Sequence, residues 1–206
     1  ICRKNTKYLL KKAHPLMEIY REEKRAALFD FLEKDSHEEG QRRRILAAPP
    51  LFVIPQEVLK QILAENGISR QECAGILKAH AREQRRIESI LTHSQVIDEL
   101  SQVTKAEYEK YPAVLPVAEC FLEKDILLTY QEYRTCVEAA MAYADAHKNY
   151  QFSLIKAKGF HNIQITCRME KWCMVSKNKT PSIHFVIHHP KLRYALENMI
   201  LPIRDS

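Results

Sequence analysis

The hydrophobic pattern of this chain changes period after Asn149, and that change limits the folds that are open to it. Before this point apolar residues recur at helical spacing, whereas after it they alternate with polar residues, which is typical of strands. The alternating runs are Tyr150–Lys156, Asn162–Arg168, Lys171–Lys177 and Ile183–His188. The spacing in Pro190–Ile200 then predicts a closing helix. We therefore predict an α+β fold: a helical segment, residues 1–128, and an α+β region, residues 129–206, with a helix, a small antiparallel sheet of about four strands and a C-terminal helix.

Start signals support the helical part. At four candidate helix starts a Ser or Thr stands three residues before a Glu, the capping-box spacing at which the two side chains satisfy otherwise unpaired backbone N–H groups. These pairs are Ser36–Glu39, Ser69–Glu72, Thr104–Glu107 and Thr129–Glu132. Together with the apolar spacing they predict helices over residues 15–31, 38–46, 56–66, 70–91 and 131–147, with residues 111–128 as a connector.

The second and third strand-like runs are separated by a short link at Met169-Glu170. A link of this length predicts a β-hairpin. A two-residue turn would place Cys167 opposite Trp172 on the neighbouring strand.

Positive charge is concentrated in the strand region. Between Lys148 and Arg193 there are nine Lys or Arg residues and one acid, Glu170, which is an excess of eight positive charges. The whole chain carries only +6, so the remainder carries about −2. A small sheet with this much uncompensated charge is expected to meet an anionic partner.

A candidate anion pocket lies at the end of the chain. The predicted helix at Pro190 would offer free N–H groups and a partial positive charge to a carboxylate or phosphate. We predict that six side chains contribute to the pocket: Trp172, Lys177, Lys179, His184, His189 and Arg193. The sequence leaves open the alternative that the lysines are solvated and that Pro190 only begins a helix.

Direct nucleic-acid binding is the alternative function. The basic sheet could carry Tyr150 and Trp172 as stacking platforms for bases. A helix-turn-helix over residues 57–86 would instead use Arg70, Gln71 and Lys78. A plain antiparallel helical hairpin is the favoured interpretation of that segment. Two arginine clusters, Arg42-Arg43-Arg44 and Arg82/Arg85/Arg86, have acidic neighbours and are interpreted as solvated helix faces.

Several classes of function are disfavoured by what the sequence lacks. Four glycines leave no phosphate-cradling loop, and no nucleophile motif is present, so we predict that the chain is not an enzyme. Six cysteines show no CxxC spacing, and His184 and His188 would stand about 13 Å apart on a strand, so no metal or cofactor is predicted. We interpret the thiols as reduced and the protein as cytoplasmic, without a membrane segment.

Three stretches carry a resemblance to a known family: Phe160–Thr166, Lys171–Ile187 and His189–Arg193. They resemble the C-terminal regulatory region of bacterial helix-turn-helix transcription regulators, over roughly the last quarter of the chain. The resemblance implies a non-catalytic domain that senses an anionic small molecule or holds a homodimer. It also implies that DNA is bound by a domain absent from this chain, which fits a sequence that begins at Ile1 rather than at Met.

Overall fold

The computed structural model describes residues 16–117, 122, 124–156 and 160–200. Ile1, Pro15 and Lys158, which the sequence analysis used, lie outside them. The strands are β1 (Met17–Tyr20), β2 (Arg42–Leu46), β3 (Val96–Ser101), β4 (Tyr150–Ile155), β5 (Ile163–Arg168), β6 (Trp172–Lys177) and β7 (Ile183–Ile187). The α-helices are α1 (Arg25–Ser36), α2 (Gln56–Glu65), α3 (Arg70–Leu91), α4 (Lys105–Lys110), α5 (Tyr130–Ala146) and α6 (Pro190–Ile200). Among the described residues no helix is long and apolar enough to cross a membrane.

The strands form one mixed sheet of seven, in the order β1-β7-β6-β5-β2-β3-β4. β2, β3 and β4 run parallel to one another, while the pairings β2–β5, β5–β6, β6–β7 and β1–β7 are antiparallel. The α+β class is confirmed in general terms, but the small antiparallel sheet of about four strands is wrong. The sheet is larger because β1, β2 and β3 come from the part of the chain that was predicted to be helical.

β2 is the most consequential of these differences. Its sequence was interpreted as a solvated helix face, yet Arg42, Arg43 and Arg44 are 4%, 6% and 9% exposed in a strand at the middle of the sheet. Consecutive arginines are rarely buried, because an unpaired charge is costly to remove from water. They are tolerated here because carboxylates reach them, Asp35 from the nearby end of α1 and Asp98 and Glu99 from β3.

Three of the four predicted capping boxes are confirmed. Ser69, Thr104 and Thr129 each cap a helix, with the expected Glu three residues later. The box at Ser36 is wrong, because Ser36 is the last residue of α1 and its hydroxyl donates to the Glu33 carbonyl oxygen. The chain then turns through Gly40, whose φ of 137° is strained for any residue with a side chain.

The β5–β6 hairpin is confirmed, but its predicted register is wrong by one residue. Cys167 lies opposite Cys173, and Trp172 lies opposite Arg168. The loop has three residues rather than two, with Glu170 at φ 65°, the left-handed position typical of such loops. The shift joins Cys167 and Cys173 in a disulfide, so the interpretation of the cysteines as reduced is wrong for this pair.

The two faces of the sheet are covered differently. On the first, α2, α3 and α5 pack over Leu46, Val96 and Leu100, while α1 packs over Trp172 and Met174. On the second, α6 packs over a smaller cluster of Ile45, Ile165, Cys167 and Cys173. We call these the cavity face and the disulfide face.

Candidate functional site

A cavity of about 120 Å³ lies on the cavity face, where strands β2, β5 and β6 pass beneath α1 and α3. Its apolar wall includes Leu32, Leu51, Trp172 and Met174. Nine polar or charged side chains also line it, which is unusual for the space between a sheet and its helices. Such mixed lining is typical of ligand sites, where a few polar groups orient a molecule within apolar walls.

Asp98 organises one side of the cavity. This fully buried carboxylate on β3 accepts two hydrogen bonds from the Arg44 guanidinium, at 2.6 and 2.5 Å, and a third from the Tyr150 hydroxyl at 2.7 Å. Burial alone would lower the pKa of Arg44, but the adjacent Asp98 carboxylate raises it above its ordinary value. Burial and the same carboxylate raise the pKa of Tyr150. Arg44 therefore stays charged and Tyr150 stays neutral.

Asp35 organises the other side, from the end of α1. Its Oδ1 accepts from Arg168 Nη1 at 2.9 Å and from Trp172 Nε1 at 2.8 Å. Its Oδ2 accepts from Arg42 Nε and Nη2 at 3.1 and 3.0 Å. Burial lowers the pKa of Arg42 despite the neighbouring carboxylate. The Asp35 group thus joins α1 to β2, β5 and β6 through one carboxylate.

Neutral polar side chains line the cavity along β5 and β6. Gln164, Thr166 and Ser176 stand on neighbouring strands, and Asn178 follows β6 directly. The Asn178 Nδ2 atom is shielded from solvent and has no acceptor among the described residues. The Ser176 hydroxyl lies 2.9 Å from Nδ1 of the fully buried His184, which does not line the cavity. His184 is therefore placed to orient the Ser176 hydroxyl, which does line the cavity.

The charged lining is predominantly positive. Three guanidinium groups, of Arg42, Arg44 and Arg86, face two carboxylates, of Asp35 and Glu83. The Arg44 and Glu83 side chains approach to 3.9 Å. Asp98 lies directly behind this lining and balances the charge of Arg44, so the cavity offers guanidinium donors to the oxygens of a small anion without a large net positive charge.

The six side chains of the predicted anion pocket are not brought together. Trp172 lines the cavity, and His184 is buried beside it on the same face. The Lys177 side chain belongs to the disulfide face and its Nζ donates to the Pro181 carbonyl oxygen at 3.3 Å. His189 and Arg193 lie at the start of α6, which covers the disulfide face, and Arg193 is paired with Glu197 at 3.5 Å.

An acidic side chain also contacts the loop after β6, which was predicted to form part of the anion pocket. The backbone N–H of Thr180, next to the exposed Lys179, donates to the Asp125 carboxylate at 2.6 Å. This carboxylate brings negative charge to the place where an anion was expected. The sheet separates the remaining candidates, because neighbouring positions on a strand point to opposite faces.

The residues named for nucleic-acid binding have mixed surroundings. Arg70 and Gln71, in the first turn of α3, and Lys78 are exposed. Tyr150 and Trp172 are 2% and 5% exposed and donate to buried carboxylates, so neither ring offers a face to a base. The helices α2 and α3 themselves contribute Leu59, Ile62 and Ile76 to the large apolar cluster.

No group of three or more His, Cys, Asp or Glu side chains that could hold a metal ion occurs among the described residues.

Comparisons with known proteins add little to this geometry. No family model matches the chain, and no curated protein does. Among solved structures, NucT from Helicobacter pylori is similar, with a TM-score of 0.48 and 8% sequence identity, over 92% of this chain and 96% of that chain. A similarity at this level assigns neither a family nor a function.

Of the residues that line this cavity, the sequence analysis identified Trp172 as a ligand-binding residue and did not identify the charged residues. The available signal was a pair of five-residue segments with opposite charge and apolar residues at one or both ends, Arg42–Leu46 and Val96–Leu100. In the structure they are neighbouring parallel strands, with Arg44 beside Asp98.

Proposed function

We propose that this chain is a non-catalytic binding domain that takes up a small anionic molecule in the cavity beneath α1 and α3. The observation that carries the proposal is the lining of the cavity, which brings the buried guanidinium groups of Arg42 and Arg44 together with the unpartnered Asn178 amide. The anionic ligand predicted from the sequence is kept, but its site moves from the loop after β6 to the cavity face.

The unpartnered amide of Asn178 supports an acceptor as part of the ligand. A buried donor without an acceptor costs about 1–3 kcal/mol, so a ligand oxygen placed there would recover that energy. Gln164, Thr166 and Ser176 add further hydrogen-bonding groups on the same wall.

The volume limits the size of the ligand. A cavity of about 150 Å³ accommodates benzene, so about 120 Å³ suits a molecule of roughly six non-hydrogen atoms. Short carboxylates and small phosphate or sulfonate compounds are the matching class.

A regulatory role follows from where the ligand would lie. The cavity is lined by Leu32 and Asp35 of α1, by Glu83 and Arg86 of α3, and by the sheet, so a ligand would contact three separate elements. Binding would shift the position of the helices only if its affinity differs between two arrangements. The cytoplasmic location, the homodimer and the separate DNA-binding domain belong to the same proposal and rest on the sequence resemblance and composition.

Thermal-shift measurements on the 206-residue chain test this function. Short mono- and dicarboxylates, small phosphates and small sulfonates are screened at two salt concentrations, because a ligand that binds the folded state raises the Tm. We expect a salt-tolerant rise with at least one compound, and loss of that rise in Asn178→Asp, which replaces the amide donor with a negative charge.

Arg86→Met and Arg85→Met provide a matched pair. Arg86 lines the cavity, whereas its neighbour Arg85 is exposed on α3, so only the first change should abolish the Tm rise. The proposal fails if no compound raises the Tm, or if Asn178→Asp and Arg86→Met respond as the unmodified chain does.

A further inference from the structure

The outer edge of β4 is an unpaired strand edge beside a groove. β4 is the last strand of the sheet, and no described strand pairs with its outer side. The groove has a volume of about 260 Å³ and lies between β4 and α5, well apart from β5 and β6, which line the cavity described above. Strand edges of this kind can pair with another chain.

The ladder shows which backbone groups are available. The Asn149 and Ile155 carbonyl oxygens accept from β3 and the residue that follows it, at 3.0 and 2.8 Å. Because the direction of these groups alternates along a strand, the N–H and C=O groups of Phe152 and Leu154 point away from β3. Two residues therefore offer a donor and an acceptor each to an added strand.

The groove supplies a place for an apolar side chain. Tyr133, Val137 and Met141 of α5 line it together with Leu154 of β4. Met141 is 51% exposed and Leu154 is 41% exposed, so two large apolar side chains of this groove face water. The groove is smaller than the about 300 Å³ at which drug-sized sites begin, and this size favours a side chain over a separate small molecule.

Charge decides between two occupants. Lys148 and Lys156 are exposed at the two ends of β4. If a second copy paired antiparallel through β4, Lys148 of one copy would approach Lys156 of the other, and facing like charges are destabilising. An extended segment with an acid near each end would meet both lysines favourably.

We propose that the β4 edge binds an extended peptide that adds an eighth strand, places an apolar side chain in the groove beside Leu154 and carries acidic residues near both ends. Backbone hydrogen bonds give such a complex its affinity, and the groove and the two lysines give it selectivity. This site is independent of the anion cavity.

Selection from a phage-displayed library of random nine-residue peptides tests the proposal. The 206-residue chain is immobilised beside a Leu154→Glu variant, which puts a negative charge at the groove. We expect peptides enriched on the unmodified chain to contain an apolar residue flanked by Asp or Glu, and to be absent from the selection on Leu154→Glu. No enrichment, enrichment without acidic residues, or equal enrichment on both chains would overturn the proposal.

Fluorescence polarisation with an enriched, labelled peptide then tests the role of the two lysines and the role of strand pairing separately. Combined Lys148→Glu and Lys156→Glu substitutions should weaken the Kd at least tenfold, whereas Lys60→Glu with Lys78→Glu, at exposed lysines elsewhere, should not. N-methylation of alternate peptide amides should abolish binding if the peptide pairs as a strand, and binding that survives would contradict the pairing. Sedimentation of a dimer that Leu154→Glu dissociates would assign the edge to a second copy instead.

Discussion

Two carboxylates on the cavity face, Asp98 and Asp35, have similar partners but different positions in the chain. Each accepts from a guanidinium and from an aromatic donor, Tyr150 for Asp98 and Trp172 for Asp35. Asp98 lies within a strand, and its Arg44 partner lies on the neighbouring strand. Asp35 ends a helix and reaches three strands.

The difference shows how one chemical pattern serves two purposes. The Asp98 group links β2, β3 and β4, which are already joined by backbone hydrogen bonds. Its side-chain contacts therefore strengthen strand pairings that the backbone also makes. The Asp35 group links α1 to the sheet, where backbone hydrogen bonds do not, so it sets the position of a helix that lines the cavity. The first group is therefore expected to govern global stability and the second to govern the geometry of the site.

Asp98→Asn should have the largest effect. The substitution leaves Arg44 without its fully buried counter-charge, and breaking a buried pair in this way costs about 3–5 kcal/mol in the free energy of unfolding. Urea unfolding at pH 7.5 measures the loss. Glu138→Gln in the exposed Arg134–Glu138 pair is the control, with an expected change of about 0.5 kcal/mol or less. A loss below about 1 kcal/mol in Asp98→Asn would contradict the structural role of this pair.

Asp35→Asn should cost less, about 2–3 kcal/mol, although two arginines lose a carboxylate. Arg42 also donates to the Gly40 and Glu38 carbonyl oxygens, and Arg168 donates to that of Glu39, so backbone acceptors remain. Hydrogen exchange should accelerate more in α1 than in β3. The distinction between the two groups is lost if Asp35→Asn costs as much as Asp98→Asn, or if exchange accelerates uniformly.

Tyr150→Phe and Trp172→Phe should separate stability from binding. Removing the Tyr150 hydroxyl deletes one hydrogen bond to a charged group, which is worth about 1.5–3 kcal/mol, and leaves the cavity wall intact. Trp172→Phe deletes the donor to Asp35 and also changes the wall. Any ligand-induced rise in Tm should therefore persist in Tyr150→Phe and fall in Trp172→Phe, and the same response in both would argue against the cavity as the site.

His80 should produce the smallest effect, visible only as a pH dependence. Burial lowers its pKa from an ordinary value near 6.5, while its Nε2 lies 2.9 Å from the Ile54 carbonyl oxygen. The unfolded chain then binds the proton first, so stability is complete above about pH 6.5 and falls as the pH drops towards the lowered folded value. Between pH 7 and 5 the free energy of unfolding should fall more in the unmodified chain than in His80→Gln.

His37→Gln, at an exposed histidine, is measured in parallel as the control variant. Equal pH dependence in His80→Gln and the unmodified chain would contradict the assignment. Measurements of the two carboxylate groups above pH 7 avoid this contribution.

Local patterns predicted those parts of the fold that local interactions determine. The bounds of α6 match, and β4 to β7 differ from the predicted runs by one residue or less at each end, because alternation and helical spacing are visible within a few residues. The capping boxes at Ser69, Thr104 and Thr129 succeeded for the same reason. Ser36 failed because the same spacing arose at the end of a helix.

The remaining parts depend on contacts between different helices and strands, which no local pattern shows. Arg42 and Arg44 can lie in a buried strand only because Asp35 and Asp98 neutralise them, and a single sequence does not reveal which carboxylate meets which arginine. The residues of the predicted anion pocket are separated for a related reason. Residues that are close in sequence, such as Trp172 and Lys177, lie on opposite faces of the sheet.

The central position of β2 has a consequence for synthesis of the chain. β2 must pair with β3 on one side and with β5, which is more than 100 residues later in the sequence, on the other side. While the ribosome is still making the C-terminal hairpin, the arginine-rich strand has only one neighbour, and Arg42 lacks the cross-strand residue Arg168. Pairings between such distant segments form slowly, since a long loop must close first. A nascent chain therefore exposes a basic strand edge until β5 has emerged, and the yield of folded protein would depend on how well that edge is protected during this interval.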